Sequence, residues 1–66
     1  MKLKINGEAK DVSESLNVSG LLELLGFGEK PVVVELNQQA LFPREHSLTA
    51  LSDGDVLEII QITAGG

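Results

Sequence analysis

Charged and apolar residues alternate at the start of the chain. Lys2 and Lys4 fall on one side, and Leu3 and Ile5 on the other. A period of two is that of a strand with one buried face. Asn6-Gly7 follows, a pair that tolerates positive φ at both positions and so predicts a two-residue hairpin turn. The return strand covers Glu8 to Val12; its polarity marks a sheet edge, which Lys10 guards. The period then changes. Val18, Leu21, Leu22 and Leu25 recur at i, i+3, i+4 and i+7, one face of a helix. Asn17 is placed to cap its first free N–H groups, and Gly26 or Gly28 to end it in the left-handed conformation. Gly20, in the first turn, weakens that helix by up to about 1 kcal/mol against alanine.

Pro31 to Leu36 is a valine-rich strand. Asn37 to Gln39 reads as a turn, and Ala40 to Phe42 as a short strand that Pro43 stops. Residues 44 to 52 read as irregular, with one helical turn around Leu48 to Leu51. Asp53-Gly54-Asp55 is a second tight turn, and Val56 to Thr63 is the last and longest strand. A helix with one apolar stripe covers one sheet face only. This order of elements predicts an α+β fold of the β-grasp (ubiquitin-like) type. Its mixed sheet has four to five strands, with one main helix packed on one face and the last strand beside the first. Residues 1–66 make a single domain, with a flexible tail over 63–66.

The last strand is apolar on both sides. Alternation puts Leu57, Ile59 and Gln61 on one side and Val56, Glu58, Ile60 and Ile62 on the other. With Leu57 and Ile59 under the helix, Ile60 and Ile62 face solvent just before the chain end, and exposed apolar clusters mark interaction sites. Glu58, Ile60 and Ile62 are therefore the candidate partner-binding residues, with Glu58 placed to meet a basic residue.

Composition narrows the function. A chain of 66 residues buries only about 60% of the surface its unfolded form exposes. With no cysteine, it has neither disulfides nor thiolate metal ligands to add stability. The net charge of −5, with five scattered basic residues, argues against nucleic acid and anionic membranes as partners. It favours docking on a basic protein surface. The opening residues contain no long apolar run, so neither a signal peptide nor a membrane span is expected there, and the cytosol is the expected location. His46, the single histidine, has no ligands or nucleophile patterned around it and reads as a surface or packing residue. Asp53 and Asp55 read as turn residues, because the loop lacks the other ligands of a calcium site. Arg44 reads as one member of a surface ion pair. No metal and no catalytic group is expected.

The chain ends in Ala64-Gly65-Gly66. Two residues without Cβ thread a narrow channel and leave the last carbonyl open to attack. From Thr63 to Gly66 the extended chain reaches about 10 Å, enough to enter a partner's active site. A carboxylate is a poor acyl group and first needs activation, for example as an acyl-adenylate. This chain has no phosphate loop, so an ATP-binding partner must do that.

The segments "VELNQQALFPRE" (Val34 to Glu45) and "LSDGDVLEIIQITAGG" (Leu51 to Gly66), with the short length and the strand–turn–strand–helix start, resemble the ThiS family of ubiquitin-like sulfur carriers along essentially the whole chain. The Asp-Gly-Asp turn, apolar strand and terminal Gly-Gly are shared with a wider group that includes the small subunit of molybdopterin synthase, usually a longer protein. The glycine-bearing "NVSGLLELLGFGEK" departs from the family pattern. The resemblance implies that an E1-like adenylyltransferase, using ATP and Mg, activates the carboxylate of Gly66. A cysteine desulfurase relay then supplies the sulfur of a thiocarboxylate, and thiazole synthase receives that sulfur in thiamine biosynthesis. Gly66 is then the modified residue, with Gly65 and Ala64 as its slender neighbours, and the chain is a co-substrate rather than an enzyme. Three alternatives stay open: a carrier for molybdopterin or another sulfur product, a modifier conjugated to lysines, and a plain β-grasp interaction module whose tail does nothing.

Overall fold

The computed structural model describes residues 1–12 and 15–63. The chain forms β1 (Lys2–Ile5), β2 (Glu8–Asp11), α1 (Val18–Leu24), β3 (Val32–Leu36), β4 (Gln39–Leu41) and β5 (Val56–Gln61), with a 3₁₀ helix over Pro43–Leu48. The strands lie in the order β2-β1-β5-β3-β4. β1 and β5 are parallel, and every other neighbouring pair is antiparallel. First and last strands thus meet in the middle of one mixed sheet, the β-grasp arrangement expected from the order of elements. β2 is an edge strand, as its polarity predicted.

Two tight turns set the register. Asn6 and Gly7 both have positive φ, at 50° and 84°, and join Ile5 to Glu8 across the first hairpin. The second turn is shorter than expected. Only Asn37 and Gln38 lie in it, with φ of 51° and 70°, while Gln39 already pairs with Leu36. β4 accordingly runs over Gln39–Leu41 and not 40–42. Asn37 secures this corner: its N–H donates to Val56 O at 2.7 Å and its Oδ1 accepts from Val56 N at 2.9 Å.

The helix starts and stops where its flanking residues dictate. Asn17 Oδ1 accepts from Gly20 N at 2.7 Å, the N-cap bond expected of it. A Cβ on residue 20 would lie 3.3 Å from that same Oδ1 and from Leu16 Cδ2, so the glycine keeps the cap uncrowded. At the other end Gly26, at φ 89°, donates to Glu23 O at 3.0 Å, and Phe27 N donates to Leu22 O at 2.9 Å. This pair of bonds is a Schellman closure.

The expected helical turn at Leu48 to Leu51 is displaced. The turn lies over Pro43–Leu48, with Pro43 opening it, where a fixed φ and a missing N–H cost nothing. The Phe42 N–H donates to Glu45 Oε1 at 2.7 Å, and Thr49 Oγ1 donates to Glu45 O at 2.7 Å. Residues 49–51 are instead drawn alongside the segment before α1: Val18 N donates to Thr49 O and Leu51 N to Leu16 O. Leu51 is thereby buried.

The core is a single aliphatic layer between α1 and one sheet face. Leu3, Val18, Leu21, Leu22, Val34 and Leu57 form its centre. Each such side chain contributes about 1.5–3 kcal/mol by leaving water.

Candidate functional site

The site is the far end of β5 and what surrounds it. β5 divides as its alternation predicted. Leu57 is 0% exposed and Ile59 5%, whereas Ile60 is 57% and Ile62 50% exposed. Val56 and Glu58 face solvent with Ile60. Neighbouring β3 extends the open face: Val33 lies directly opposite Ile60, and Glu35 opposite Glu58. Val33 is partly exposed. Its membership of this face was hidden in the sequence by the run Val32-Val33-Val34, in which a continuous apolar stretch shows no alternation.

Beyond Val33 a groove of about 340 Å³ opens, lined by Val33, Ala40, Leu41, Phe42, Pro43 and Ile62. Phe42 stands exposed on its rim. The Arg44 guanidinium lies 4.7 Å from the Phe42 ring centroid. Among the described residues Arg44 makes this cation–π contact and no ion pair, which corrects its sequence reading. The proline between them and the 3₁₀ turn bring the two side chains together. On the helix side a second groove includes Leu22, Lys30, His46 and again Ile62. Ile62 thus sits where two concave surfaces meet.

The strand end is held extended. Ile62 N donates to Pro31 O at 3.0 Å. On the other flank Asn6 Oδ1 accepts from Ile59 N at 2.7 Å, and Asn6 Nδ2 donates to Ile59 O at 3.2 Å. Thr63 is the last residue described; Ala64, Gly65 and Gly66, the expected tail and modified residue, lie outside the described residues.

The remaining candidates are structural. His46 is 8% exposed and is the buried residue of the 3₁₀ turn, its Nε2 without a hydrogen-bond partner among the described residues. No group of three His, Cys, Asp or Glu able to hold a metal occurs among the described residues. Asp53 Oδ1 accepts from Lys2 N. Asp55 Oδ2 accepts from Ser52 N at 2.7 Å, and Asp55 Oδ1 from Asn37 Nδ2 at 3.0 Å. The Asp55 carboxylate closes its own turn, and that of Asp53 ties the turn to the start of β1. No helix among the described residues is long and apolar enough to cross a membrane.

Comparison with known proteins places this geometry. Residues 3–66 match the model of the ThiS family. A thiazole synthase of Paramagnetospirillum magneticum is 41% identical over all 66 residues, although the chain spans only 20% of that protein's length. The sulfur carrier protein ThiS of Thermus thermophilus is 36% identical over 62 residues, covering 94% of this chain and 95% of the relative. Among solved structures, the crystal structure of the thiamine biosynthesis protein (ThiS) from Geobacter metallireducens superimposes with a TM-score of 0.85 at 38% identity, covering both chains in full.

Proposed function

The chain belongs to the ThiS family, the sulfur carriers of thiamine biosynthesis, and from that premise we propose that the carboxylate of Gly66 carries the sulfur. A partner adenylyltransferase of the E1 type, using ATP and Mg, joins this carboxylate to AMP with release of pyrophosphate. The terminal sulfur of a persulfide, supplied through a cysteine desulfurase relay, then displaces AMP to give an acyl disulfide, and a partner thiol cleaves its S–S bond, releasing the thiocarboxylate and leaving a disulfide on the partner. Thiazole synthase takes that sulfur. The chain is the co-substrate in each step and catalyses none, and the whole cycle runs in the cytoplasm. Gly65 and Ala64 form the slender tether, and Glu58, Ile60 and Ile62 form the docking surface beside it.

The observation that carries this reading is the exposure of Ile60 near the end of β5 and of Ile62 just beyond it. An apolar surface at the root of a short tail holds a partner against the sheet while the tail enters its active site. That a ThiS-like stretch makes up a fifth of a protein named thiazole synthase supports thiazole synthase as the acceptor.

Mass spectrometry of the protein isolated from its own cells tests the chemistry. A shift matching replacement of one oxygen by sulfur is expected. Conjugates to lysines of other proteins would instead identify a modifier. Adenylation that survives deletion of Gly66 would overturn the assignment of the modified residue. Transfer of the sulfur to molybdopterin synthase in place of thiazole synthase would overturn the pathway alone.

A further inference from the structure

β5 is central in the sheet, but only along part of its length. On one flank β3 follows it to Val32 opposite Gln61, and Ile62 N reaches Pro31 O beyond that. On the other flank β1 pairs only as far as Ile5 opposite Leu57 and then turns away. The Asn6 carboxamide fills the next rung by bonding both the N–H and the C=O of Ile59. The rung after that is open. Backbone groups alternate between the two flanks of a strand. Ile62 N faces β3, and Ile59 N faces Asn6, so the N–H and C=O of Gln61 face the β1 flank. Neither group has a partner among the described residues, and Gln61 is exposed. Free strand edges are ordinarily blunted by charge or proline; Gln61, Ile62 and Thr63 bring neither.

We propose that this open edge seats an extended backbone segment of the adenylyltransferase, which adds a short strand alongside Gln61 and Thr63. The inference rests on the proposed function, because it concerns the enzyme that handles the tail. A donor and an acceptor on one residue, facing the same way, need an acceptor and a donor at matching spacing. A peptide backbone supplies them and repeats the pattern at Thr63, the next rung on that flank. Such pairing fixes register as well as affinity. A slip of one residue moves the strand by about 3.3 Å, so the added strand sets how far Gly66 projects into the active site. The apolar side chains of Ile60 and Ile62 hold the partner close, and the backbone rung measures the tail.

Amide hydrogen exchange followed by NMR, on the free chain and on its complex with purified adenylyltransferase and ATP, tests this directly. The Gln61 amide exchanges fast in the free protein and is protected at least about tenfold in the complex. A chain of this length is accessible to total synthesis with an N-methyl group on Gln61. That variant should fold normally by circular dichroism and bind the enzyme about tenfold more weakly, the scale of one lost hydrogen bond. Gln61→Ala, which keeps the backbone N–H, should bind as the parent does. A complex in which the Gln61 amide still exchanges fast overturns this inference alone. Absence of any complex overturns the functional reading and this inference with it.

Discussion

The side-chain amide of Asn6 bonds both backbone groups of Ile59, accepting from its N–H at 2.7 Å and donating to its C=O at 3.2 Å. One side chain thus continues the sheet for one rung beyond the end of β1. The same residue sits at φ 50° in the hairpin turn, a conformation that asparagine tolerates better than most residues. Asn6→Gly keeps the turn and loses both bonds, for an expected cost of about 1–3 kcal/mol. Asn6→Ala adds backbone strain and should cost about 1 kcal/mol more. Urea denaturation of the two variants checks the order; equal stabilities would mean that the rung, not the turn, sets the residue.

Glu35 and Glu58 stand opposite each other on neighbouring strands, and like charges so placed destabilise a sheet. Glu58→Gln should raise stability by about 0.2–1 kcal/mol, with the gain shrinking as salt screens the repulsion. Thermal melts at low and high salt read this out. In the proposed docking role the same substitution weakens the complex with the adenylyltransferase, so stability and binding move in opposite directions. A loss of stability would show that Glu58 has a favourable partner in the free chain.

The folding pattern was written openly in some places and hidden in others, for physical reasons. Asn6-Gly7, Asn17 and Gly26 act through their nearest neighbours, so their turn and cap roles are legible from the residues alone. The two faces of β5 were legible because its polar and apolar positions give alternation a sign. Val33 was not, since three successive valines carry no such contrast. The 3₁₀ turn was misplaced because Leu48 to Leu51 looks helical by spacing. The contacts of Thr49 and Leu51 with Val18 and Leu16 come from distant sequence and override that spacing. Arg44 was misread for a different reason: its partner is not a charge but a ring two residues away, on the far side of a proline. The chemistry of the tail came from family resemblance, because a Gly-Gly end has no side chains to read.

His46 is buried with Nε2 unpartnered. Removing a buried polar group that lacks a partner is close to neutral or stabilising when the replacement fills the same space. His46→Leu is therefore expected to change stability by less than about 1 kcal/mol, towards gain, and to leave adenylation intact. Calorimetry and a pyrophosphate-release assay with the adenylyltransferase test both parts. A loss of several kcal/mol would reveal a hydrogen bond to His46 that the described residues do not show, and a loss of adenylation alone would assign it to the partner surface.

Leu57 and Ile60 lie three residues apart on one strand and should behave as opposites. Leu57 is wholly buried against α1, so Leu57→Ala removes core contacts and leaves a cavity, at a cost of about 2–5 kcal/mol. In a domain this small that is enough to abolish cooperative unfolding at ordinary temperature. Ile60 projects from the other face at 57% exposure, and Ile60→Asp should stay within about 0.5–1 kcal/mol of the parent. Its effect appears in binding instead, because a carboxylate buried under a partner without a counter-charge costs several kcal/mol. Affinity for the adenylyltransferase is expected to fall by at least about tenfold, with the same direction for Ile62→Asp. Titration calorimetry beside a thermal melt separates the two. If Ile60→Asp melted the domain, the assignment of this face to solvent would be wrong; if it left affinity unchanged, the partner would dock elsewhere and reach the tail from another side.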